Sequence, residues 1–171
     1  MKQHARIFLA YNRFGGSEYT DETLFLFLQH TNATGLELPG GRLEDNETPE
    51  DAVLREIPEE LDIALDGARL TKLLAADMHF GHSGIISMGH YFIAKVNPTN
   101  MKIKEPEKIT AAGFTDCYGL VLKIAQIIGH SPKIHYKNHN ELNKIPGMDS
   151  LPMLLSDARL IPAQQWTGSI R

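Results

Sequence analysis

Gly41-x5-Glu47-x7-Arg55-Glu56-Ile57-x-Glu59-Glu60-x-Asp62-Ile63, entered through Leu36-Glu37-Leu38-Pro39-Gly40, is the stretch from which the rest of the chain can be read. Thr48-Pro49-Glu50-Asp51 is a helix start: Thr48 can cap, Pro49 suits the first helical position and Asp51 can complete a capping box. Glu50 and Asp51 also favour the positive end of a helix. The spacing predicts a helix from about Pro49 to Leu61, with Glu56, Glu59 and Glu60 at i, i+3 and i+4 on one face. Ala52, Val53, Ile57 and Leu61 give that helix an apolar side to lay on a sheet. Three carboxylates on one face repel each other, and a hard cation with oxygen ligands relieves the repulsion; magnesium is the usual one where the substrate carries phosphates. The glycines of Pro39-Gly40-Gly41 let the backbone turn sharply and come close to a metal or a phosphate. The plain alternative is a solvated acidic face with i, i+4 ion pairs, the usual fate of a charge run.

The whole spacing resembles the signature of the Nudix hydrolases, G-x5-E-x7-R-E-U-x-E-E-x-G-U with U a bulky aliphatic residue. Every specified position matches except the last glycine, where Asp62 stands. The resemblance implies hydrolysis of a diphosphate linkage with magnesium, or manganese as a substitute. It implies that Glu59 and Glu60 ligate the metal, that Glu56 is a ligand or the general base, and that the Gly40 carbonyl is a further ligand. It also implies that Arg55 pairs with a carboxylate of the motif, Glu47 being the expected one. Some members of the family take the base or an extra ligand from a downstream loop; Glu105 and Glu107 lie at a suitable distance, and Glu107 is the favoured one. The metal neutralises phosphate oxygens and acidifies a bound water, and a nearby carboxylate accepts the proton.

Two residues depart from a plain helix. Pro58 removes a hydrogen bond to the Leu54 carbonyl and should bend the helix between Glu56 and Glu59, at roughly 3 kcal/mol if unrelieved. Asp62 stands where a glycine would end the helix in the left-handed conformation, which Asp tolerates at roughly 1 kcal/mol.

The chain has 171 residues, enough for one domain with a proper core. Its 42% hydrophobic and 22% charged content is that of a soluble globular protein. Its single cysteine, Cys117, excludes an intrachain disulfide, suits a reducing cytoplasm and reads as a packed small side chain. The apolar run at residues 7–10 is too short for a signal peptide core, and no apolar stretch reaches membrane-spanning length. The net charge of −4 argues against a broad nucleic-acid surface but not against a small anionic ligand beside a metal.

Residues 5–11 and 24–29 read as strands, the second continuously apolar as if buried on both faces, with a turn at Gly15-Gly16 between them. Residues 36–38 are a short strand into the glycine turn. Residues 70–78 and 85–96 read as strands around a His79-Phe80-Gly81-His82-Ser83-Gly84 turn, followed by a polar loop over 97–107. Residues 111–114 are one more short strand, and 116–128 a helix stopped by Gly129. This order is the one the resemblance implies: an α/β/α sandwich with a mixed β-sheet between helices, with residues 1–129 as its core and 130–171 as an extension packed on the same domain. Within the extension, residues 130–144 read as polar, 150–160 as a short helix, and Trp166 as a residue that docks on the core.

Of the eight histidines, His79 and His82 flank a turn and His130, His135 and His139 cluster with Lys133 and Lys137; these sit in predicted loops without cysteine partners and read as surface residues, not zinc ligands. Lys133 and Lys137 are candidates for a distal phosphate of the substrate, and Phe80, Tyr91 and Phe92 lie near the expected cleft mouth, where core packing is their default role. The expected substrate is a nucleoside diphosphate linked to a group X. Glu47-Thr48-Pro49-Glu50-Asp51-Ala52-Val53 resembles the MutT-like members that act on nucleoside triphosphates. The proline about sixteen residues beyond the motif in ADP-ribose hydrolases is missing, and no tyrosine near Met78 marks a dinucleoside polyphosphate enzyme. Two rivals stand: a non-catalytic nucleotide sensor on the same fold, and an isomerase of allylic diphosphates, which would need a catalytic cysteine. Relatives in the family often dimerise, so a homodimer is among the expected states.

Overall fold

The computed structural model describes residues 1–33, 35–80, 85–131 and 133–151. The expected turn at Gly81-His82-Ser83-Gly84, Trp166 and the helix expected over 150–160 beyond its first two residues lie outside the described residues.

Strand β1 (Lys2–Asn12) alternates its side chains between two cores. Ala5, Ile7 and Leu9 pack with one, and Phe8 and Ala10 with the other. Strand β2 (Thr23–His30) does the same, with Leu26 and Leu28 against one core and Phe25 and Phe27 against the other. A strand covered on both faces has no polar side, which is why this run of sequence is continuously apolar.

β1 and β2 are hydrogen-bonded only at one end, with Ala10 opposite Phe25 and Asn12 opposite Thr23. Toward the start of β1 they part. The segment formed by β3 (Leu36–Glu37) and β4 (Gly40–Arg42) fills the gap. β4 pairs with β1, Arg6 opposite Gly40 and His4 opposite Arg42, and the Ile7 N–H donates to the Pro39 carbonyl at 3.0 Å. β3 pairs with β2, Leu28 opposite Glu37. This wedge carries the glycine turn into the middle of the sheet. The sequence had suggested only a turn at Gly40–Gly41; β4 is a strand because β1 offers it an unpaired edge.

On the other side of β1 runs β6 (Ile85–Lys95), the one parallel neighbour among the described strands, with Ala5 opposite His90. β5 (Thr71–Phe80) and β8 (Ile134–Lys137) follow antiparallel, and β7 (Ile109–Thr115) borders β2. Helix α1 (Pro49–Leu61) lies on one face through Ala52, Val53, Ile57 and Leu61. Helix α2 (Cys117–His130) lies on the other through Leu120, Val121, Ile124 and Ile128. The result is the expected mixed sheet between helices. Gly129 does not stop α2: it is buried inside the helix, which runs to a cap at Ser131. The polar stretch after residue 130 is also more ordered than its composition suggests. It adds β8 to the sheet edge and a short helix α3 (His139–Leu142), and Leu142, Ile145, Met148 and Leu151 join the α2-side core. No helix among the described residues is long and apolar enough to cross a membrane.

Candidate functional site

The bounds of α1 follow from local chemistry. The Thr48 hydroxyl accepts the Asp51 N–H at 3.1 Å and donates to the Asp51 carboxylate at 2.6 Å, so Asp51 closes the cap through the hydroxyl and not through the Thr48 backbone. The helix continues through Pro58 and ends at Asp62, which is left-handed (φ 58°, ψ 28°) with its N–H on the Pro58 carbonyl at 3.2 Å.

Two glycines let this helix meet the wedge. Gly40 has φ +119°, and a side chain there would drive its Cβ into the Ala5 carbonyl oxygen. A Cβ on Gly41 would collide with the Glu56 carboxylate. With both positions bare, the Gly40 N–H donates to Glu60 Oε2 at 2.9 Å. Glu60 is only 5% exposed. Burial pushes its carboxyl up to about 7, with the charges of Glu56 and Glu105 adding to the rise while the Gly40 hydrogen bond and Arg6 oppose it. His30 Nε2 stands 3.7 Å from Glu60 Oε1, and His30 Nδ1 2.9 Å from Glu37 Oε2.

Arg55 ties the acidic side chains together. Its guanidinium grips Glu47 through Nε at 2.8 Å and Nη2 at 3.0 Å, the pair expected from the sequence. Nη1 reaches Glu56 at 2.8 Å and Glu59 at 3.3 Å, and Nη2 also donates to the Arg42 carbonyl at 3.2 Å. The Arg55 hydrogen bonds hold the Glu47 carboxyl below its ordinary value.

Of the candidate metal ligands, Glu56 and Glu60 converge on Gly40–Gly41, whereas Glu59 is half exposed and turned to Arg55. Among the described residues no three His, Cys, Asp or Glu side chains are gathered at metal-holding distance. The donor set still fits a hard divalent cation: oxygen ligands only, like charges crowded together, and a buried carboxylate whose ionisation is opposed by burial. The Gly40 carbonyl, the expected backbone ligand, accepts a hydrogen bond from the Arg6 guanidinium.

The downstream loop is placed by its backbone. The Lys104 N–H donates to the Glu60 carbonyl and the Lys102 N–H to the Leu61 carbonyl, both at 2.9 Å, capping the end of α1. This brings the charge of Glu105 to bear on Glu60. Glu107, favoured on sequence grounds, is instead exposed, and its carbonyl takes the Thr31 hydroxyl at 2.9 Å. The path of the chain across the end of α1, which no local signal reveals, sets Glu105 near Glu60, with the Glu105 carboxylate paired to Lys108.

Beside the wedge, on the α2 face, lies a cavity of about 270 Å³. Its walls include His4 and Arg6 of β1, Leu38 of the wedge, Met78, Tyr91, and Lys123 and Gln126 of α2. Tyr91 is buried with its hydroxyl on the Met78 sulfur at 3.1 Å. Phe92, the next residue of β6, faces the α1-side core and is packing alone. The side chain of Phe80 lies outside the described residues. Arg6 was not singled out in the sequence, because a lone arginine in a strand carries no local signal.

Lys137 is on β8 opposite Leu74, and the Lys133 carbonyl accepts the Asp77 N–H at 2.9 Å. Neither lines the cavity. His135 pairs with Asp77 at 2.8 Å, and His130 borders the cavity. Cys117 is buried at the start of α2, its thiol on the Thr20 carbonyl at 3.1 Å and pushed up to about 11 by burial, the behaviour of a packed side chain and not of a nucleophile.

The chain resembles known proteins over much of its length. A family model described as NUDIX domain matches residues 6–124. An 8-oxo-dGTP diphosphatase of Proteus vulgaris is 50% identical over 46 residues, a stretch that spans 27% of this chain and 41% of that relative. The crystal structure of a MutT NUDIX hydrolase from Burkholderia pseudomallei is 26% identical, covers 67% of this chain and 84% of its own, and superposes with a TM-score of 0.51. Likeness in fold alone extends to a C. elegans Ap4A hydrolase (TM-score 0.54, 18% identity, 71% of this chain and 84% of that one) and to the NUDIX domain of Shewanella oneidensis NrtR complexed with ADP ribose (0.52, 14%, 70% and 75%). With the family model covering well over half of its length, and the Gly41–Glu60 constellation folded against the wedge, the chain belongs to the Nudix family.

Proposed function

We propose that this protein is a magnesium-dependent hydrolase of the diphosphate linkage in a nucleoside diphosphate linked to a group X, with a nucleoside triphosphate as the favoured substrate. The observation that carries the reading is the convergence of Glu56 and the buried Glu60 on Gly40–Gly41, with only Pro39 between Gly40 and Leu38 of the cavity wall. The similarity to an 8-oxo-dGTP diphosphatase in 46 residues supports the triphosphate choice.

In this reading Glu59, Glu60 and the Gly40 carbonyl hold the cation, with Glu56 as a ligand or the general base. A divalent ion there, magnesium or manganese, supplies charge neutralisation of the phosphate oxygens and a more acidic water. Hydrolysis adds water across one phosphorus–oxygen bond: the new bond forms to phosphorus, the bridging oxygen leaves with the other phosphate, and the water proton passes to a carboxylate. Glu105 takes the place of Glu107 as the downstream carboxylate, supported by its charge on Glu60. Arg55 keeps Glu47, Glu56 and Glu59 in register. The nucleoside occupies the α2-face cavity. Residues 1–129 form the catalytic core and the extension from residue 130 packs on it, a division supported by the placement of Leu142 and Met148 in the α2-side core. A cytoplasmic location suits the single buried cysteine.

The test is a panel of nucleoside triphosphates, nucleotide sugars, ADP-ribose and dinucleoside polyphosphates, with and without magnesium, read by phosphorus NMR. Magnesium-dependent conversion of a nucleoside triphosphate to the nucleoside monophosphate and inorganic pyrophosphate is expected. Binding across the panel with no product would replace the hydrolase by a nucleotide sensor. Rearrangement of an allylic diphosphate without phosphate release would replace it by an isomerase, which the state of Cys117 already opposes.

A further inference from the structure

Arg6 stands at the seam between the acidic cluster and the cavity. It projects from β1 on the same side as Phe8, toward α2, and lines the cavity. Its Nη1 donates to the Leu38 carbonyl at 3.1 Å and to the Gly40 carbonyl. A guanidinium has five N–H donors in a fixed plane. Nε and Nη2 take no partner among the described residues. Arg6 is therefore pinned by one nitrogen to the wedge, with the rest of its fork uncommitted on the cavity wall.

The surroundings make this fork cationic and anion-seeking. Within a chain of net charge −4, the cavity is walled by the two cations Arg6 and Lys123 against the single lining carboxylate of Glu37. Lys123 reaches across from α2 to donate to the Leu36 carbonyl at 3.0 Å, so the two cations hold the two ends of the Leu36–Leu38 strip. The charge of Arg6 is felt by Glu60 on one side and by Tyr91 and Lys123 on the other. At about 270 Å³ the cavity sits near the low end of the roughly 300–1,000 Å³ of small-molecule sites. Its apolar walls, Leu38, Met78 and Ile127, suit a flat ring, and the Gln126 amide offers both a donor and an acceptor.

We infer that Arg6 is a substrate-binding residue: its free N–H groups grip the phosphate attached to the nucleoside, with the nucleoside in the cavity and the next phosphate directed toward Glu56 and Glu60. This rests on the function proposed above but concerns a step that needs no metal. A planar fork suits a phosphate in a way that an ammonium does not.

The test is calorimetric binding of the four common ribonucleoside 5′-monophosphates and the matching nucleosides in EDTA. The wild type should bind at least one monophosphate more tightly than its nucleoside. Arg6→Gln should weaken that monophosphate roughly 10- to 100-fold, as expected for lost charge-assisted hydrogen bonds, and leave the nucleoside unchanged. Arg6→Lys, which keeps the charge, should recover part of the loss, and thermal melting of both variants reports whether the wedge still folds. Equal affinity of the wild type for monophosphate and nucleoside, no binding of either, or a monophosphate preference that survives in a folded Arg6→Gln would each overturn the inference. Arg6-dependent binding in a protein that hydrolyses no nucleotide would keep the inference and remove the hydrolase.

Discussion

The two ends of β1 are built differently, and the difference locates the chemistry. At its C-terminal end β1 pairs directly with β2, and the connection is a short loop through Gly15 and Gly16. That end has cations of its own, Lys95 and Arg69, around a cavity of about 570 Å³. Lys95 is already spent on the Ser17 carbonyl and the Tyr19 ring, and Arg69 on Asp66. At its N-terminal end β1 has lost β2 and gained β4, a strand whose glycines present an N–H to Glu60 and a carbonyl to Arg6. A sheet that closes on itself satisfies its backbone and has little to offer a ligand. A sheet prised open by a wedge can present backbone, acid and base together.

The largest expected effect that would break this comparison is on turnover. Glu60→Gln should cut hydrolysis roughly 100- to 10,000-fold while the fold persists, and Lys95→Gln at the other end should leave it unchanged. Steady-state rates on the best substrate of the panel decide it; a fully active, folded Glu60→Gln removes the site from the wedge.

Stability comes next. Gly40→Ala combines a positive φ with a Cβ forced into the Ala5 carbonyl and should cost about 2–5 kcal/mol in urea unfolding. Gly16→Ala, at φ +98° with open space around it, should cost only about 1–2 kcal/mol. Equal costs would mean that the wedge is not tightly held.

Glu60 also gives the metal-free protein a pH signature. Its folded value, about 7, is raised above the ordinary 4.5, so the folded state holds the proton more tightly than the unfolded chain. That contribution is complete below about 4.5 and is lost as pH rises through about 7. Urea unfolding in EDTA should therefore show less stability at pH 8 than at pH 5 from this group, and Glu60→Gln should flatten the slope. The smallest effect belongs to the helix start: Thr48→Ala should cost about 1 kcal/mol, with no change in the metal requirement.

What could be read in the sequence follows the range of the interactions. The bounds of α1 and the left-handed Asp62 were legible because caps, Pro49 and the helix end are settled within a few residues. β2 was legible because burial on both faces leaves a continuous apolar run. β4 looked like a turn because its partner lies 35 or so residues upstream, at His4 to Arg6. β8 is a strand through the unpaired edge of β5, which its own polar residues do not announce. Gly129 looked like a helix stop, but it is buried within α2, and burial depends on the fold and not on the residue type. In the candidate site the acidic motif was visible and its geometry was not: Arg6 and Glu105 gain their positions only from the wedge and from the path of the chain across the end of α1.

The most direct test of the central claim is a titration of the protein with manganese followed by electron paramagnetic resonance, comparing the wild type with Glu56→Gln, Glu60→Gln and Lys95→Gln. One site that is weakened in both glutamate variants and kept in Lys95→Gln is the predicted result. Manganese bound equally well by all four proteins would contradict the account.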